Sequence, residues 1–597
     1  MDRIDWDVKL VLGASERRLR LLNTRTGKAW GVSEIPPPEI DALFSQSDWS
    51  WGAGLAKLGV HLDRPGHIFR YADGSGIDTT DGIVKHGPGS ASVGTVSGTV
   101  LGFIQFIDMV WILTTTRLYH WNGTTLTLFW GPAASGATHQ THPGTFNNVQ
   151  LVVHGTNLLI VTDRYSGGNS RYYYTNGTAD PTAVDTATTG ANITMFTLGE
   201  VVWRAHSTNQ ITSSATPTSA ASWLTPSYTI GAGATITNLF GLTGLIFVTT
   251  RDGDIIAVNA ADGTETALDD RLKTRRSATA YTIKSNTGTD VWLSDGSKDV
   301  LQVVALDFET FDVRPSGPFH HSNDKPFTAT DTEGLVKALA QDSEFVYVAV
   351  LRGSHVYVYK GAELLRGVFA WTPLIKITSA TTNAMAVLKM SGDTQAKLYV
   401  NNGTSILAYQ VRDWTAYNTE AVITTPYFSA TDESLAKLHT RLKGFIDQTG
   451  ASGITAFYRK DTETSFTAIG GSQVTPGQFK VNPTAVLTNF RIQLQFAVTA
   501  SDAVSPLHLR SFGLEGITKP ELRRVWDFTV IADNKADADF CYSLRTNTTS
   551  LITVSDRFDI TRSGFLVTGF PLEQELTDEI TRRAVRAYRL VIQEVPT

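Results

Sequence analysis

Residues 117–131 read RLYHWNGTTLTLFWG, two apolar-rich runs on either side of Asn122-Gly123. The second run alternates Thr with Leu on its way to Trp130, the period-two pattern of a strand with one covered face. Asn-Gly between such runs predicts a hairpin with a type I′ turn, because both central residues then need positive φ and these two tolerate it at least cost. Taken alone, Tyr119, His120 and Trp121 invite a reading as a ligand-facing cluster. The rest of the chain argues otherwise, because the unit repeats.

An apolar strand (Met109-Val110-Trp111-Ile112-Leu113), a polar break, a second strand, a turn and a third strand make up that unit. Comparable pairs are Asn157–Val161 with Arg171–Thr175, Glu200–Arg204 with Gln210–Thr212, and Gly244–Val248 with Asp254–Val258. Further on come Asp290–Leu293 with Val300–Val304, Phe345–Val350 with His355–Tyr359, and Lys397–Val400 with Ser405–Tyr409. The polar breaks fall near 115, 166, 208, 252, 296, 353 and 403. A period of roughly 45–55 residues with three or four short strands per unit is that of a β-propeller blade. Such a blade cannot cover both its faces alone, and radial stacking in a closed ring solves this. About seven blades are expected, with six or eight also compatible with the spacing. Tyr119 and Trp121, two apart on one strand face, then read as packing between blades.

The chain divides into five stretches. Residues 1–35 hold strand pairs that read as blade hairpin and could close the ring. Residues 36–100, opening on Pro36-Pro37-Pro38, are irregular and read as an arm or decoration. The propeller is expected over 101–418. Longer strands over 419–532 are spaced for a β-sandwich. Within them, strict alternation in Phe490–Phe496 places Phe490, Ile492, Leu494 and Phe496 on a core face and Arg491, Gln493 and Gln495 opposite. Residues 533–597 read as a C-terminal extension, with a helix over Glu573–Ala587 and a final strand at Tyr588–Val591.

Composition narrows the function. The 597 residues are 42% hydrophobic but only 18% charged, with 50 Gly, which favours pleated sheet and tight turns over helix. A net charge of −6 lacks the basic excess of a general nucleic-acid binder, so no sequence-specific nucleic-acid binding is expected. One cysteine, Cys541, allows no internal disulfide framework. No signal-peptide pattern opens the chain, and no apolar run approaches the roughly 20 residues of a membrane span. This is the composition of an exposed, secreted β protein with nothing to direct secretion. A virion protein folded in a bacterial cytoplasm and released by lysis resolves that tension, and a protein exported by a pathway without a classical signal would look the same.

Catalytic patterns are missing: there is no phosphate-cradling loop, no His-Glu-x-x-His and no Gly-x-Ser-x-Gly elbow. His320-His321 would point to opposite strand faces. Asp533, Asp537 and Asp539 cluster carboxylates without the Gly and Glu of an EF-hand loop, and the Asp/Gly-rich run 71–82 is explained by turn chemistry. Ser294-Asp295-Gly296 is a fragment of the sialidase-type blade turn. No catalytic, cofactor-binding or metal-binding residue is assigned, and no cofactor is expected. Trp49 and Trp51 in Asp48-Trp49-Ser50-Trp51-Gly52 are the candidates for stacking on a glycan, although packing of the arm onto its neighbour is the favoured reading of both.

The degenerate blades from about 103 to 412, together with Phe490–Phe496 and Ser511–Gly516, make the chain resemble tail and neck structural proteins of tailed bacteriophages. That resemblance implies a non-enzymatic virion component of the tail, working in tail assembly, fibre docking or host attachment. Its partners would be other tail proteins and copies of itself. Nozzle proteins of short-tailed phages also contain a propeller, which implies a ring of copies around the DNA channel. The alternatives are a protein that binds a host surface glycan or receptor and, behind it, a propeller glycosidase.

Overall fold

Val110, Trp111, Ile112 and Leu113 are consecutive residues of one strand, Met109–Thr114, and all four are buried. Alternate residues of a strand face opposite ways, so such a strand must be covered on both sides. Val110 and Ile112 pack with Tyr399, Ile406 and Ala408. Trp111 and Leu113 pack with Leu158, Ile160 and Tyr173. The same division recurs at Leu158 and Ile160 against Leu159 and Val161, and at Tyr347 and Ala349 against Val346, Val348 and Val350. These apolar runs are therefore the second strands of radially stacked blades. Each fully buried aliphatic or aromatic side chain contributes roughly 1.5–3 kcal/mol to holding neighbours together.

The structure, a computed structural model, describes residues 7–21, 41–54, 69–131, 150–161, 169–189, 194–206, 208–223, 227–231, 234–242, 244–250, 254–267, 283–286, 290–294, 300–305, 311–318, 334–365, 368–429, 436–448, 453–460, 463–483, 487–499, 506–519, 525–546, 551–555, 561–566, 573–577 and 584–594. They form two compact units, one of Ala42–Thr431 with His439–Glu515, the other of Met1–Asp41, Asp432–Leu438 and Gly516–Thr597.

The first unit contains a seven-bladed propeller. Six four-stranded antiparallel sheets lie over residues 100–130, 150–189, 195–229, 236–267, 283–315 and 335–377. The seventh takes three strands from Met385–Leu388, Lys397–Asn402 and Ser405–Gln410, and its outer strand from Ser90–Thr95. Ser405 pairs with Thr95 and Tyr409 with Ser90, so the segment before the first blade fastens the last one. Ring closure thus rests on Ser90–Thr95 rather than on residues 1–35.

Two hairpins depart from sequence expectation in an instructive way. Trp121 pairs with Leu126, leaving a four-residue loop in which Gly123 alone has positive φ, at 98°. Asn122 instead accepts three hydrogen bonds at Oδ1, from Thr124 N, Thr124 Oγ1 and Thr125 N, at 2.8–3.0 Å. Asn176 repeats this with Thr178 and Ala179. A side-chain carbonyl that mimics a backbone turn outweighs the type I′ preference. The two-residue turn with both φ positive is Ile107-Asp108, at 46° and 51°, closing Phe106 against Met109.

Two five-stranded sheets follow the propeller in the first unit and share one core. One has Asp41–Gln46, Leu507–Lys519, Ala436–Gln448 and Gly477–Val481 in order, with Leu487–Asn489 also on Ala436–Gln448. The other runs Thr467–Ala468, Gly453–Lys460, Ile492–Thr499, Glu420–Thr424 and Asp73–Ser75. Leu442, Ile446, Phe479 and Phe512 from the first meet Ile454, Ile492, Leu494 and Phe496 from the second. Residues 36–100 are therefore no mere decoration, since Asp41–Gln46 and Asp73–Ser75 are edge strands of these sheets. Phe490 lies before its strand begins and is 50% exposed, outside the core face expected for it. Gln493 is buried, donating to Thr425 O (2.8 Å) and accepting from Arg459 Nε (2.6 Å).

The second unit is built on a sheet of Val525–Ala532, Ser15–Leu21, Asp7–Leu12, Ile552–Ser555, Thr561–Leu566, Ala584–Glu594 and Glu573–Thr577. Val525–Ala532 also pairs with Ala584–Glu594, so the order closes on itself. The N-terminal hairpin belongs here, paired to C-terminal strands. Of the stretch Glu573–Ala587 expected as helix, the described residues 573–577 and 584–587 are strand, because the five pairings of Glu573–Thr577 with Ala584–Tyr588 override local helix preference. The helix is Lys535–Thr546, whose Phe540, Cys541 and Leu544 enter the core. Asn534 Oδ1 caps it by accepting from Asp537 N at 2.9 Å.

Candidate functional site

The two tryptophans proposed for glycan stacking separate in the structure. Trp49 is completely buried, tilted against Tyr71 at 6.3 Å and Phe512 at 5.7 Å between ring centroids. It belongs to the core of the paired sheets, so neither ring face is open to a sugar. Trp51 is half-buried. The chain between and beyond them turns sharply: Gly52 N donates to Trp49 O, Ala53 N to Trp371 O and Tyr71 N to Gly52 O, at 2.8–3.2 Å.

These bonds begin a polar seam where residues 48–54 and 69–88 meet the sixth blade, on its strands Val346–Arg352, His355–Leu365 and Val368–Ile377. Asp73 accepts from both Arg352 Nη atoms, at 3.1 and 2.5 Å, while Arg352 Nη1 also donates to Tyr359 Oη (2.9 Å). Asp78 accepts from Lys360 Nζ at 3.2 Å, and that ammonium stands 4.1 Å from the centre of the Phe345 ring. Thr79 Oγ1 bridges Thr372 Oγ1 (3.0 Å) and Tyr71 Oη (3.4 Å). Arg70 donates to Ala53 O and Phe369 O at 3.2 and 3.3 Å.

Burial sets the electrostatics. It lowers the pKa of Arg70 to about 10, with Tyr71 opposing the shift. It works against the charge of Arg352 as well, yet Tyr359 and Asp73 hold that guanidinium above its ordinary value. For Tyr71 burial raises the pKa beyond the range of a working acid or base. Each charge at the seam is used to hold a neighbour, and these groups lock two parts of the unit together.

The opening hairpin is likewise structural. Tyr119 and Trp121 pack with Val110, Ile112 and Met390, and Ser97 N donates to Tyr119 Oη at 3.0 Å. His120 lies 5.3 Å from Trp111 edge to face, and burial lowers its pKa. Asp537 serves the helix cap and sits 3.6 Å from Arg17, rather than joining Asp533 and Asp539 around an ion. Among the described residues no group of three or more His, Cys, Asp or Glu could hold a metal. His320-His321 and Asp295-Gly296 lie outside the described residues. Among the described residues no helix is long and apolar enough to cross a membrane.

The fold is that of a β-propeller protein, carrying a pair of sheets that share one core. Solved structures similar to it include the WD40 repeats of RRP9, at 11% identity and TM-score 0.39, covering 55% of this chain and 100% of that one. YCF48 bound to D1 peptide is similar at 14% identity and TM-score 0.37, covering 56% and 98%. The Cps50 (Swd1) β-propeller domain of Myceliophthora thermophila is similar at 10% identity and TM-score 0.37, covering 54% and 100%. No family model and no curated protein matches the sequence.

Proposed function

We propose that the chain is a non-enzymatic structural component of a bacteriophage tail, assembling in the virion with copies of itself and with other tail proteins. The observation that carries this reading is the seam. Residues 69–88 donate strand Asp73–Ser75 to one sheet, clamp the sixth blade through Arg352–Asp73 and Lys360–Asp78, and lead into the ring-closing strand Ser90–Thr95. Domains joined by a simple linker move relative to each other by default. Here one continuous stretch is woven into both parts, which suits a piece that must transmit force without flexing. A closed ring further limits exposed strand edges, a requirement for a part present in many copies at high local concentration.

Electron microscopy of particles made without this gene product tests the proposal. Particles with missing, truncated or non-infectious tails are expected, and intact infectious tails would overturn it. Host attachment through a surface glycan is a second role for such a component, and it needs a surface other than that of Trp49.

A further inference from the structure

Arg459 stands on the outer face of one of the paired sheets. Ala456 and Tyr458 turn toward the shared core, so Arg459, on the same strand, faces the other way. Its guanidinium lies 5.3 Å from the centre of the Tyr427 ring and 4.7 Å from that of Phe466, and Arg491 lies 5.3 Å from Tyr427. Arg459 Nε donates to Gln493 Oε1 at 2.6 Å and Nη1 to Thr464 O at 3.4 Å, so among the described residues its charge meets no carboxylate. The rings and these bonds fix the guanidinium before a partner arrives, which lowers the entropy cost of binding one. Arginine with aromatic side chains is the composition of an interface core, and a planar guanidinium matches a carboxylate.

Carboxylates without a cation gather at one end of the propeller. Each blade is an antiparallel meander, so its first and third turns fall at the same end. Those turns carry Asp108 in the first blade, Glu200 in the third and Asp262 in the fourth, all exposed and none in an ion pair among the described residues. His154 Nε2 donates to Glu200 O at 2.9 Å and Asp108 holds Ser391 of the seventh blade, so turns of neighbouring blades meet at this end. Cations are present there but largely spent: Arg412 is shared by Asp342 and Glu344, Lys397 is held by Asp393, and Lys389 adds a further charge. Ile107 and Leu365, 51% and 54% exposed, stand on the same turns. Apolar side chains left in water among charges mark a surface for another protein.

We propose that the acidic propeller end of one copy of this chain receives the arginine–aromatic stack of a second copy, with Arg459 forking a carboxylate and the rings packing on the exposed apolar side chains. This rests on the reading that the chain assembles with copies of itself, and it names the two surfaces. Two acidic ends would repel each other, so the end must meet a different surface, and Arg459 offers the opposite charge. A contact between unlike surfaces is heterologous, and it repeats into a closed ring or an open filament.

Sedimentation velocity on the whole chain, at micromolar concentrations in low and high salt, is the test. Wild type should form species larger than a dimer at low salt and dissociate as salt rises. Arg459→Glu reverses one surface, and Glu200→Lys with Asp262→Lys reverses the other. Each reversal should weaken association by about tenfold or more, the loss of a central charged contact. Neither variant should then associate alone, whereas an equimolar mixture should form dimers or larger species, since each keeps the surface the other has lost. Glu200 and Asp262 are exposed turn residues, so their reversal leaves thermal unfolding unchanged and carries the test independently of Arg459→Glu. Monomeric wild type, association untouched by either reversal, or a mixture that stays monomeric would overturn the proposal. Copies that associate through other surfaces would leave the particle test standing, so the two readings fail separately.

Discussion

Arg352 and Asp73 stand 279 positions apart in the chain and meet in a two-pronged ion pair, Nη1 to Oδ1 at 3.1 Å and Nη2 to Oδ2 at 2.5 Å. One comes from the sixth blade and the other from an edge strand of the paired sheets. A bidentate pair fixes orientation as well as distance. Its side chains are only 16% and 25% exposed, so removing one partner strands the other in poor solvent.

We expect Arg352→Ala and Asp73→Ala each to destabilise the first unit by about 3 kcal/mol, near the lower end for a broken buried pair. The double variant should cost less than the sum, with a coupling of about 1–3 kcal/mol. Urea unfolding of the four proteins measures this. Additive effects would mean that the two groups act through other partners.

Gly52 marks a close approach along the same seam. Its φ is +76°, and an added Cβ would lie 2.5 Å from Trp371 N and 2.7 Å from Trp371 O. Both are backbone atoms and cannot swing aside. Gly52→Ala should therefore cost at least about 3 kcal/mol, from strain and clash together. Gly155 has a similar left-handed φ of +56° but nothing within 4 Å of an added Cβ. Gly155→Ala should cost only about 1–2 kcal/mol, the conformational penalty alone. Equal losses in thermal unfolding would show that steric contact with Trp371 is unimportant.

The sequence exposes some of this architecture and hides the rest for physical reasons. Runs such as Met109–Leu113 and Phe345–Val350 are legible because a second blade strand is covered on both faces and stays apolar throughout. Ser90–Thr95, SASVGT, closes the ring with mostly exposed side chains and so leaves no hydrophobic pattern to read. Residues 7–21 look like a blade hairpin because local pairing is the same in any antiparallel sheet, and only their long-range partners Val525–Ala532 and Ile552–Ser555 distinguish them. The seam is invisible for a related reason. Asp73 and Asp78 read as turn residues until the fold brings Arg352 and Lys360 to them. Trp49 sits in a polar, Gly-flanked run that leaves its packing partners unnamed, and its burial depends on Tyr71 and Phe512 arriving from elsewhere.

Cys541, the one cysteine of the chain, sits fully buried in the helix Lys535–Thr546. Burial, helped by Asp537, pushes its thiol up to about 12. Thiolate is the reactive form, so both access and chemistry are unfavourable in the folded state. Native protein at pH 8 should remain unlabelled by a disulfide reagent over minutes, and denatured protein should react with one equivalent. Fast native labelling would place the helix outside the core.

His86 should give the first unit a specific acid sensitivity. It is 1% exposed, and burial pushes its pKa down to about 4, with the charge of His508 adding to the shift. Between the ordinary histidine value near 6.5 and about 4, the unfolded chain binds a proton that the folded chain refuses. Stability therefore falls as the pH drops through that window and is flat with respect to this group above it. The full effect is on the order of 3 kcal/mol. His120, His206 and His508 are shifted the same way by burial and will add to the slope. The decisive quantity is thus the difference between wild type and His86→Gln in urea unfolding at pH 7, 6, 5 and 4.5. The variant should lose less stability on acidification than wild type, and parallel curves would mean that His86 accepts its proton as readily folded as unfolded.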